Sequence, residues 1–177
     1  LQAAHVSELL PTGYPSYRSS ETVLQKVSPG EMSATFVILT RQKAPNRHGN
    51  IVQIVAGDRG EGLLLEHYQL NPIILFDHGI NMALPIGTSE SPAGDLKVTL
   101  GKSKAIATAY FSQSLPEAST IFALIDEGIL RTASVQFLPR RAVRMVQKER
   151  QRQSEDGEVQ LGDGGGLDYT ESDLLEW

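Results

Sequence analysis

Residues 129–138 read ILRTASVQFL, and this stretch decides the fold class. Ala133, Val135 and Phe137 alternate with Thr132, Ser134 and Gln136, the period of two that gives a strand one apolar and one polar face. Ahead of it, residues 116–127 predict a helix. Pro116 suits a first helical turn, Glu117 is favourable near a helix N-terminus, and Ser114 stands where a capping side chain belongs. Ile121, Phe122, Leu124 and Ile125 supply the apolar face, and Gly128 ends the helix. A helix and a tight turn therefore deliver the strand, and the alternation aims Ser134 away from the core.

Further strands lie upstream. TFVILT at 35–40 and IVQIVA at 51–56 are β-branched and apolar, which predicts two strands. Residues 61–70 read as a short helix broken at Asn71-Pro72, because the residue before proline is pushed out of the helical region. A buried strand, residues 72–76, follows and ends at Asp77-His78-Gly79. Residues 97–100 and 104–111 predict a hairpin with Ala105, Ala107, Ala109 and Phe111 on one closely packed face. The fold class is thus mainly β with helices, α+β.

The two ends are patterned differently. Residues 1–30 mix Pro11, Pro15 and Pro29 with Gly13 and Gly30 and show neither period, so they are expected as an extended or loosely ordered arm. Residues 31–177 form the single remaining domain. Arg140, Arg141, Arg144, Lys148, Arg150 and Arg152 are followed from Glu155 onward by eight acids and no basic residue, in a stretch rich in glycine, and a mobile charged loop is expected at about 140–168. Apolar character returns in Leu174-Leu175-Glu176-Trp177, read as a truncated last strand. The chain opens without Met, as a fragment or processed product does.

Composition removes whole classes of function. The 177 residues are 40% hydrophobic and 21% charged, enough for one domain with a buried core. No apolar run approaches the roughly 20 residues of a membrane-spanning helix. With no cysteine there is no disulfide, thiolate metal site or cysteine nucleophile. A net charge of −5 speaks against a globally basic nucleic-acid binder, and the arginines from 140 to 152 lack interleaved aromatics.

Hydrolytic chemistry then needs a hydroxyl with a base, a carboxylate pair or a metal held by His and acids. The four histidines differ in setting. His5 lies in the arm, His48 in the polar turn RHGN, and His67 on the expected helix, where an exposed or core-edge imidazole suffices. His78 follows a buried strand and precedes a glycine, so a rigid element can hold it while the turn exposes it. No HExxH or HxH pair exists to hold a metal. Ser134 is either a solvated strand serine or, if two strands bring it to His78, an activated nucleophile.

Five segments in order carry a resemblance: NPIILFDHG (71–79), LPIG (84–87), AIATAYFS (105–112), EASTIFALIDEGIL (117–130) and RTASVQFLP (131–139). Together they resemble the prohead serine proteases of tailed bacteriophages, relatives of the herpesvirus maturation protease assemblin, over Phe36 to Phe137 and again from Asp173 to Trp177. The resemblance implies an assemblin-like, closed or partly open β-barrel wrapped by a few helices. It implies His78 as general base, Ser134 as nucleophile and Glu176, in LLEW, as the acid that orients the imidazole. Asp173, Glu171 and Asp77 are fallback orienters. Arg140 and Arg141 follow the serine strand as neighbours of the attacked carbonyl, whereas assemblin arginines follow the third triad residue.

The activity so implied is cleavage of scaffold segments and the major capsid protein, and of the chain itself, inside an immature procapsid in the host cytoplasm. No cofactor, metal, membrane or nucleic acid is called for, and assemblins suggest a homodimer. The alternative is a non-catalytic capsid-assembly or scaffold-binding module on the same fold.

Overall fold

The strand SATFVILT is apolar on both faces, and it lies at the centre of a sheet with nearly every side chain buried. The computed structural model describes residues 16–17, 22–42, 44–45, 51–54, 62–80, 84–144 and 167–177. Its strands are β1 (Ser16–Tyr17), β2 (Leu24–Ser28), β3 (Ser33–Thr40), β4 (Ala44–Pro45), β5 (Ile51–Ile54), β6 (Gly62–Leu64), β7 (Ile73–Leu75), β8 (Pro85–Thr88), β9 (Val98–Leu100), β10 (Lys104–Phe111), β11 (Val135–Arg144) and β12 (Leu167–Glu176). Among the described residues there is one α-helix, α1 (Pro116–Asp126), so the fold is mainly β.

Two six-stranded sheets result. One has the order β2-β3-β10-β8-β7, with β9 also on β10; the other has β1-β11-β12-β5-β4, with β6 also on β12. Most pairs are antiparallel, but β12 runs parallel to β5 and β6. Along β10, Ala105, Ala107, Ala109 and Phe111 point inward as the alternation predicts. The small side chains let α1 approach, and Ala118, Ile121, Phe122 and Ile125 of α1 complete the core. Phe111 and Phe122 rings lie 5.4 Å apart across this contact. In β11, Val135 and Phe137 are fully buried, and each such side chain contributes about 1.5–3 kcal/mol through removal from water.

Among the described residues the ladders do not run on into a closed barrel. The sheets instead touch along two seams. On one, Leu24 N–H donates to the Arg131 carbonyl at 2.7 Å and Ala133 N–H to Thr22 O at 3.2 Å. On the other, Leu75 N–H donates to Trp177 O at 3.2 Å.

Several expectations are corrected. Residues 62–70 are not a helix: β6 pairs with β12, and a 3-10 turn at Tyr68–Leu70 follows. Pairing with a strand more than a hundred residues away overrides the local helical period. Ser114 does not cap α1; Leu115 holds the cap position, with no side-chain bond. The serine strand begins at Val135, later than 129, because residues 131–134 make only a single bridge, Val23 with Thr132. Of the expected arm, β1 and β2 are sheet members, so the boundary at residue 30 falls within folded structure. Its prolines and glycines hid β2, whose burial does not alternate cleanly. Strands enter the expected 140–168 loop from both sides, β11 to Arg144 and β12 from Leu167; residues 145–166, with half of the basic cluster, lie outside the described residues, as do His5 and His48.

Candidate active site

The seams converge on three side chains. His78 follows β7 of the first sheet, Ser134 precedes β11 of the second, and Glu176 ends β12. Antiparallel register pairs Gln136 with Glu176, which brings the acid within two residues of the serine along the neighbouring strand. The Leu75–Trp177 bond then ties the strand before His78 to the residue after Glu176.

A left-handed turn aims the imidazole. Asp77 (φ 52°, ψ 39°), His78 (φ 51°, ψ 31°) and Gly79 (φ 70°) all occupy the left-handed region. For residues other than glycine this costs roughly 1–2 kcal/mol each, with Asp and His among the more tolerant types. Strain of this kind persists where the surroundings fix it, and here it points His78 back across the seam.

Ser134 Oγ–H donates to His78 Nε2 at 2.6 Å, and His78 Nδ1–H donates to Glu176 Oε1. The ring is nearly enclosed, its side chain 10% exposed, and that of Glu176 4% exposed. Because a carboxylate can only accept, Glu176 sets the tautomer that leaves Nε2 free to take the serine proton. The second oxygen of Glu176 is buried without a partner among the described residues. An anion held with one lone oxygen is poorly solvated and therefore a strong stabiliser of an imidazolium beside it. Chemically, the relay is that of a hydroxyl nucleophile with an oriented general base.

The fallback orienters are engaged elsewhere. Asp173, almost wholly buried, accepts from Arg140 Nε at 2.6 Å, and His67 Nδ1 lies 3.5 Å from the same oxygen. Arg140 also donates to His67 Nδ1 at 3.3 Å, so Arg140 and His67 form a separate cluster around Asp173. The bond to Asp173 pushes the Arg140 guanidinium above its ordinary pKa. Glu171 sits on β12 opposite Arg141. Asp77 adopts the turn it would need, but the Nδ1 partner is Glu176. Among the described residues no group of three or more His, Asp or Glu side chains could hold a metal.

Sequence reasoning missed the scaffold behind Glu176. Trp177 Nε1–H donates to Ser89 Oγ at 2.8 Å; Ser89 lies 2.8 Å from the Tyr68 hydroxyl, which donates to Ile73 O at 3.2 Å. Trp and the carbonyl fix the ends, so Ser89 donates to Tyr68 and every member is satisfied. Phe36 packs edge-on against the Trp177 ring at 5.8 Å. The available signal was the lone tryptophan of the chain, placed next to the proposed acid.

Two outcomes are expected of this network. Ser89→Ala leaves Trp177 and Tyr68 without their shared partner; if the relay is catalytic, turnover should fall about 10- to 100-fold through a misplaced Glu176 with substrate affinity little changed, and steady-state kinetics separate the two. Burial pushes the Tyr68 phenol up to about 12, opposed by its hydrogen bonds to Ser89 and Trp177 and helped by the negative charge of Glu176. The raised value means that the folded state keeps a proton the unfolded chain releases, so this stability is present below pH ~10 and lost as pH rises toward ~12. Denaturant titrations should show a loss of about 2–3 kcal/mol over that window in the wild type that Tyr68→Phe lacks. Tyr169, also raised by burial, contributes equally to both proteins and cancels.

A cleft of about 390 Å³ opens beside Ser134 and His78, running between β10 and α1. Compared with protein-family models, curated proteins and solved structures, the chain matches none.

Proposed function

We propose that this chain is a serine endopeptidase of the prohead-maturation type. It cleaves scaffold and capsid polypeptides, and itself, through an acyl-enzyme. Ser134 attacks the scissile carbonyl while His78 takes its proton; His78 then protonates the leaving amine, and a water deprotonated by the same base attacks the ester, which releases the carboxylic acid as His78 returns the proton to Ser134. Glu176 holds the imidazole and stabilises its charged form. The observation that carries this reading is the continuous relay Ser134–His78–Glu176. The two hydrogen-bonded seams support the finer expectation of a partly open, assemblin-like barrel, since they bridge the sheets on both sides of the site.

Incubation with a fluorophosphonate, followed by peptide mapping, tests the proposal. Modification confined to Ser134, together with cleavage of a co-expressed procapsid scaffold protein, is the expected result. A folded chain that neither labels nor cleaves would instead favour the non-catalytic capsid-assembly module.

A further inference from the structure

We infer that the cleft beside the triad selects, at the residue whose carbonyl is attacked, a large aliphatic or aromatic side chain. This rests on the endopeptidase reading. Ser134 and His78 are themselves part of the cleft lining, so a substrate held for attack places its nearest side chain there. The same lining includes Leu130, Ile125, Phe36, Phe111 and Ile121, all apolar. Its volume of about 390 Å³ lies within the range of sites that enclose small organic groups, far more than a methyl needs.

Charge complementarity gives the same answer. Among the described residues, the only ionisable side chains along the lining are His78, already committed to the relay, and Asp77, which is exposed. Apart from these two, the described lining is uncharged and mostly apolar, so a lysine, arginine, aspartate or glutamate side chain held against its apolar residues would lose its hydration with little counter-charge. An alanine side chain would leave most of the apolar surface unfilled. The occupant that gains most is a leucine or phenylalanine side chain.

The test is a series of peptidyl diphenyl phosphonates that differ only in the side chain next to phosphorus: Ala, Leu, Phe, Lys or Glu. The rate of Ser134 modification is read by intact-protein mass spectrometry, with the small fluorophosphonate as reference. Leu and Phe probes should react at least about tenfold faster than the other three, the discrimination that a few buried methylenes provide. In a folded Leu130→Trp variant, at a half-buried position of the lining, the Phe-to-Ala rate ratio should fall. Equal rates across the series, faster reaction of the Ala or charged probes, or an unchanged ratio in the variant would overturn the inference while reference labelling of Ser134 still stands. Loss of the reference labelling itself would overturn the endopeptidase reading.

Discussion

On the proposed endopeptidase reading, Ser134→Ala should lose peptide-bond cleavage by about six orders of magnitude in kcat, the scale on which removal of a triad nucleophile acts. The hydroxyl it removes is half-buried and hydrogen-bonded to His78 rather than to a core group, so the core does not depend on it. The melting temperature therefore stays within a few degrees of wild type, and fluorophosphonate labelling disappears. His78→Ala falls to a similar level. The double variant falls no further, because the alcohol and the base act as one unit and their losses do not add. Retained cleavage by a correctly folded Ser134→Ala chain would refute the assignment of the nucleophile.

On the same reading, Glu176→Gln should give a smaller but still large loss, about 10⁴-fold in kcat, because an amide can turn its NH₂ toward Nδ1 and trap the ring in the tautomer with Nε2 protonated. A hydroxyl cannot be deprotonated by an Nε2 that already carries hydrogen. Stability should move the other way. The carboxylate is buried with one oxygen unpartnered, and exchanging it for a neutral group of the same shape relieves a desolvated charge. A variant with unchanged or raised melting temperature and nearly absent turnover is the expected combination. A variant that keeps full turnover would show that Asp77 or another acid orients the ring; one that unfolds would show that Glu176 is structural.

The sequence made some of this legible and hid the rest for definite reasons. Strands with clean alternation, β10 and β11, are readable because one face of each meets the core and the other does not. α1 is readable from its proline start and apolar spacing, although its cap is not, since capping depends on where the preceding chain turns. His78 and Ser134 stood out through their local context, a buried strand before a turn and a polar position on an amphipathic strand. Glu176 came from resemblance alone, and its contact with His78 spans 98 positions of the chain. No local pattern encodes such a pairing. The residues 62–70 show the converse error, where a helical-looking local period yields to parallel pairing with β12. The Trp177–Ser89–Tyr68 network is equally non-local, and each member alone reads as an ordinary core residue.

Because the imidazole belongs to one sheet while the alcohol and the acid belong to the other, neither layer by itself contains a working centre. The relay is thus a property of the docked pair. On the endopeptidase reading, a half-assembled chain carries all three functional groups yet should remain chemically silent until β12 has found its place between β11 and β5.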